Sequence, residues 1–211
     1  MSNNTVKLSG STAEVGAALA GVTNYSGVVE ITDNASDIPA TTLTAIADAM
    51  KVGTKPVITL KPNIKGDAAD VAAALGKVTN TGHANIKLDN AHDLTQLKTI
   101  NDATNGSITF KDAGVKLSGS VADVGAALAG VTGYTGNVDI TDNASDILAT
   151  AITAIADATN KTPVITQKPV IKGKTADVVT ALGKISNTGN ADIKLLDHHN
   201  TVQLKAINDI T

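Results

Sequence analysis

The residues whose type and spacing could do chemistry are a set of acidic loops and four histidines. Asp33-Asn34-x-x-Asp37 returns as Asp142-Asn143-x-x-Asp146, and Asp89-Asn90-x-x-Asp93 is a third version. Hard cations such as calcium take several Asp and Asn oxygens, so Asp33, Asp37, Asp142 and Asp146 form the one candidate metal set. The same residue types also open strand-to-helix turns and cap helices, and the glycine and closing Glu of a dedicated calcium loop are missing. Turn chemistry is the stronger reading, and neither a metal nor another cofactor is expected. His83, His92, His198 and His199 include no i, i+4 pair that would place two ligands on one helical face. His198-His199 reads as a solvated pair in a polar turn.

Nucleophilic catalysis needs a Ser or Thr, a His and a carboxylate converging in one cleft. Here the candidates come in copies: Ser9 with Ser118, and Thr32 with Thr141. A catalytic group is normally singular, so repetition points to structure. VKLSGS and VTGYTG fit neither the P-loop nor the dinucleotide fingerprint. No enzymatic activity is expected.

Composition excludes further classes. Every basic residue is Lys, the net charge is −3, and the only aromatics are Tyr25, Phe110 and Tyr134. Without Arg forks or aromatic platforms, nucleic acid is not an expected partner. The absence of Cys removes disulfides, thiolate nucleophiles and Cys-type zinc sites. No stretch is long and apolar enough to insert in a membrane. The sequence opens without a basic segment followed by an apolar run, which leaves a cytosolic protein, export without a conventional signal peptide, or a piece of a larger array.

The elements that carry these residues are set by internal repetition. Val6 to Ala49 returns from Val115 at a shift of about 109 residues, so most of the chain is one duplication. Within each half Leu8-Ser-Gly-Ser-Thr-Ala-Glu-Val15 matches Ile64-Lys-Gly-Asp-Ala-Ala-Asp-Val71, and Leu117 matches Ile171. The repeats fall at approximately 6–61, 62–114, 115–168 and 169–211 within one domain over 1–211. Short apolar runs at Val29, Val57, Ile86, Ile108, Val138, Val164 and Ile193 alternate with helical patterns. The fold predicted is α/β: a parallel α/β solenoid of strand-plus-helix coils, about 27 residues per coil and about 54 per two-coil repeat.

Local signals support the helices. Ser11-x-x-Glu14 has capping-box form, and Ser120-x-x-Asp123 and Asp67-x-x-Asp70 are acidic relatives. Val15, Ala18, Leu19 and Val22 make one apolar stripe, as do Val124, Ala127, Leu128 and Val131. Gly27, Gly106 and Gly136 stand before strands, where a left-handed or tight connection is expected. Strand alternation predicts one outward row of Glu30, Thr59, Lys87, Thr109, Asp139, Thr166 and Lys194, a ladder of alternating charge with Thr between. Tyr25 and Tyr134 occupy equivalent turns and read as staples to the layer beneath, with a role as binding anchors the alternative.

Coils bury their apolar layer only against neighbours, and neither end has the form of a polar capping repeat. Val6, Leu8, Val15 and Leu19 at one end, and Leu204, Ile207 and Ile210 at the other, are therefore the expected contacts of head-to-tail assembly, with a second copy of the chain as partner.

The strings GSITF, KDAGVKLSGS, VGAALAG, YTGNVDITDNASD and LTQLKTINDATNG resemble repeats present in many copies in large extracellular proteins of cyanobacteria and other bacteria. The likeness covers practically the whole chain. It implies a surface, adhesion or matrix role outside the cell and brings no catalytic residues. Two expectations follow: a non-enzymatic structural protein that forms a filament or rigid surface element, or an adhesin-like module that holds a glycan or protein on its strand face or loops.

Overall fold

Small aliphatics at strand and helix spacing, broken every few residues by Gly, Asn and Asp, fold into short elements. The computed structural model describes residues 6–187 and 190–209. Its contacts gather into two compact units, Met1–His92 with Thr99–Asp112 and Asp93–Lys98 with Ala113–Thr211. Each contains one copy of the long duplication.

In the first unit the order is β1 (Leu8–Gly10), α1 (Thr12–Leu19), β2 (Val29–Ile31), β3 (Asp37–Pro39), α2 (Ala40–Ala49), β4 (Val57–Ile58), β5 (Asn63–Gly66), α3 (Ala68–Lys77), β6 (Thr79–Asn80) and β7 (Asn85–Leu88). Helix α4 (Leu94–Asp102) and β8 (Ile108–Phe110) follow; the start of α4 belongs to the second unit. The strands make two parallel sheets, in the orders β1-β2-β4-β6 and β3-β5-β7-β8. Helix α2 packs between α1 and α3.

The second unit continues with β9 (Leu117–Gly119), α5 (Val121–Leu128), β10 (Val138–Ile140), β11 (Asp146–Leu148), α6 (Ala149–Ala158), β12 (Val164–Ile165), β13 (Val170–Gly173), α7 (Thr175–Leu182), β14 (Ser186–Asn187), β15 (Asp192–Leu195) and α8 (Thr201–Asn208). Its sheets run β14-β12-β10-β9 and β11-β13-β15, again parallel throughout. The chain is thus an α/β protein with parallel strands and, among the described residues, eight helices.

The coil differs from the strand-plus-helix form expected. Two strands, one in each sheet, precede most helices, because pieces such as Asp37–Pro39 and Asn63–Gly66 pair although they are too short to show alternation. Helix starts do recur at about 27 residues. Strand neighbours do not keep that step: residues bonded across adjacent rungs are separated by 21 or 22 positions at some steps and by 26 at others.

Inward strand residues Ile31, Ile58, Ile64 and Ile86 are fully buried, with Ile140, Ile165 and Ile171 their counterparts in the second unit. Helices add Leu43, Ile46 and Val71, or Val124, Ile152 and Val178. The stripe expected on α1 is narrower than drawn, since Thr12, Val15 and Leu19 are buried while Ala18 is exposed. The glycines before strands act through close approach, for none of Gly27, Gly106 and Gly136 has a positive φ. A Cβ on Gly136 would overlap the Val115 carbonyl and the Tyr134 ring.

Candidate functional sites

The acidic loops have a shared structural job. Asp33 accepts from the Thr12 amide at 2.6 Å and from the Thr12 hydroxyl at 2.5 Å, which caps α1 from the following coil. Asp142 accepts from the Val121 amide at 2.7 Å, and Asn90 from the Ala68 amide at 3.1 Å. Asp197 accepts from the Thr175 amide and hydroxyl at 2.8 and 2.6 Å. Four helices therefore have their first amide held by a side chain 21 or 22 residues downstream. A carboxylate there also meets the positive end of the helix. The Thr175 hydroxyl and amide hold Asp197 below the usual Asp range.

The second acid of the two duplicated loops faces lysine, whereas Asp93 of the third closes the first turn of α4 with Gln96. Asp37 accepts from Lys87 Nζ at 2.6 Å and from Asn63 Nδ2 at 2.9 Å, and these bonds lower its pKa. Asp146 has Lys172 and Lys194 at 3.5 and 3.7 Å. Asp33 and Asp37, or Asp142 and Asp146, are thus committed to different partners. Among the described residues no three His, Cys, Asp or Glu side chains form a group that could hold a metal.

The outward row divides between the sheets. Glu30 and Asp139 lie on β2 and β10, with Thr59 and Thr166 just past β4 and β12; Lys87, Thr109 and Lys194 lie on β7, β8 and β15 of the other sheets. The single alternating ladder does not form, because each coil contributes two strands. Neutralisation comes from neighbours instead: Lys7 pairs with Glu30 at 2.7 Å and lowers its pKa, and Lys116 pairs with Asp139 at 2.5 Å. Lys65 and Lys87 sit side by side in register, as do Lys172 and Lys194.

Both tyrosines are buried staples. The Tyr134 hydroxyl donates to the Val115 carbonyl at 2.8 Å, and Tyr25 donates to Val6 in the same way. His92 is buried against Phe110, with ring centroids 5.0 Å apart, while His198 and His199 are exposed in the turn before α8. His83 adopts a positive φ of 52° in a turn.

The end residues fall into distinct groups. Val15, Leu19 and Ile207 are buried within their own units, Leu8 is half-buried, and Val6 and Leu204 are exposed at 60% and 43%. Ile210 lies outside the described residues. Repeat counterparts inside the chain differ sharply from these: Leu97, the equivalent of Leu204, and Leu117, the equivalent of Leu8, are both fully buried. In the second unit the segment Asp93–Lys98 lies on β9 and α5. There Leu94 takes the space a Cβ on Gly119 would need, and Lys98 reaches Asp123 at 3.9 Å.

Open grooves also lie along the helices. One of about 730 Å³ between α1 and α2 is lined by Ala13, Gly16, Ala17, Thr42 and Ala45, and a smaller one of about 410 Å³ occupies the same place between α5 and α6. Small side chains and few polar groups give these grooves little with which to orient a ligand.

No family model, curated protein or solved structure matches this chain. No described helix is long and apolar enough to cross a membrane.

Proposed function

We propose that this chain is a non-enzymatic structural protein of the repeat-solenoid type, which assembles head to tail into a filament or rigid element at or outside the cell surface. The observation that carries the reading is the contrast between Leu204, 43% exposed, and its counterpart Leu97, which is fully buried. Val202 in the same helix is exposed at 76% and Val6 in the first coil at 60%; Val52, Leu60 and Leu148 are exposed elsewhere in the chain. Exposed apolar side chains are what an association surface covers.

The solenoid reading is supported by parallel strands that pair coil after coil in each unit, since repeats of this kind bury a core only against their neighbours. A non-enzymatic role is supported by the duplication of the polar residues in structural bonds, Asp33 with Asp142 and Tyr25 with Tyr134. The surface location rests on the repeat resemblance in the sequence.

Two unlike end faces that fit each other make a heterologous contact, which propagates unless its rotation closes a ring. Negative-stain electron microscopy with light scattering over a concentration series tests this. Uniform fibres that lengthen with concentration are expected; a particle that stays monomeric across the series removes the assembly reading.

A further inference from the structure

The second unit contains a worked example of what an incoming coil does to the start of a repeat. Its opening, LSGSVADVGAAL from Leu117, nearly repeats LSGSTAEVGAAL from Leu8. The two differ in burial: Leu117 and Ala127 are fully buried, but Leu8 is half-buried and Ala18 is exposed. The helix that supplies the covering segment Asp93–Lys98 also has a near-copy, since Gln96-Leu97-Lys98 recurs as Gln203-Leu204-Lys205 in α8. Both helices close their first turn in the same reciprocal way. Asp93 and Gln96 exchange bonds of 3.0 and 2.7 Å, and Asn200 and Gln203 exchange bonds of 3.0 and 2.9 Å. Leu97 is buried and Leu204 is not.

Resting on the head-to-tail reading above, we propose that α8 of one copy seats on β1 and α1 of a second copy as Asp93–Lys98 seats on β9 and α5, with Lys205 paired to Glu14 of the second copy. The charges match the internal example, in which Lys98 reaches Asp123. Asp123 accepts from the Ser120 hydroxyl on one oxygen, at 2.8 Å, and meets Lys98 with the other. Glu14 is arranged alike: one oxygen takes the Ser11 amide and hydroxyl, each at 2.8 Å, and among the described residues the other oxygen makes no hydrogen bond. Lys205 is 74% exposed and, among the described residues, is held by Asp209, one turn along its own helix. Leu204, on the same helix, would be covered as Leu97 is.

The test is a charge exchange, read as the critical concentration for assembly by light scattering and pelleting. Lys205→Glu and Glu14→Lys are each expected to raise it about fivefold or more, and the double variant to return it to within about twofold of the parent. Because Glu14 also closes the first turn of α1, Glu14→Gln serves as a second variant. It keeps that closure and removes only the charge, and a rise of about threefold is expected. Circular dichroism on each variant checks that the helices are retained. A parent that assembles while the single variants behave like it, or a double variant no better than the singles, overturns the Lys205–Glu14 pairing and leaves the head-to-tail reading standing. A parent that never assembles overturns both.

Discussion

Asp197 illustrates how a residue with the look of a ligand is used as a bolt. Its carboxylate accepts from both the amide and the hydroxyl of Thr175, and those bonds favour the charged form. A folded-state pKa below the unfolded one gives a contribution that is complete above the unfolded value and is lost as pH falls through the folded one. Asn90 holds the equivalent amide without a charge. Asp197→Asn should therefore keep the cap and lose the pH dependence. In urea melts the gap between parent and variant should be widest at neutral pH and narrow as pH falls below the ordinary Asp value of 3.8. A gap that stays constant down to pH 2 would show that the carboxylate charge contributes nothing. Residue type in the sequence told only that Asp and Asn suit caps and turns. The helix each one caps is not its own but that of the coil before, and such a partner 21 or 22 residues away leaves no local signature. The closure of α4 and α8 by Gln96 and Gln203 did have one, an Asp or Asn followed three residues later by Gln.

At the scale of elements, backbone proximity decides which small residues matter. Gly136→Ala should destabilise by about 3 kcal/mol, since its Cβ would meet the Val115 carbonyl and the Tyr134 ring, neither of which can give way. Gly125 sits inside α5 with open space where a Cβ would be, and Gly125→Ala should stabilise by about 1 kcal/mol through helix propensity. Thermal melts of the pair make the comparison, and similar midpoints would refute the close-approach argument. The helices were legible because their caps and apolar spacing are strong, as at Ser11 and Ser120. The second strand of each coil was not. Asp37–Pro39 and Val170–Gly173 pair through backbone over three or four residues, too few for side-chain alternation to register, so the sequence places Glu30 and Lys87 in one row while the fold puts them on two sheets.

At the scale of the molecule, function depends on the surfaces the units leave open. Leu204→Lys places a charge on an exposed position of α8, so the single chain should keep its stability within about 0.5 kcal/mol while assembly is lost. Ile207→Lys would not separate the two effects, because Ile207 is buried in its own unit. Sedimentation velocity beside a urea melt reads both quantities; fibres of unchanged length in the Leu204 variant would move the interface elsewhere.

The carboxylate that caps each of α1, α5 and α7 always comes from downstream, and only the capped amide comes from upstream. The dependence has a direction. During synthesis α1, α3, α5 and α7 each emerge before the side chain that holds their first amide, so these four helices are provisional until the following coil has left the ribosome. A coil placed after one of them need carry only its own Asp or Asn to complete the helix before it.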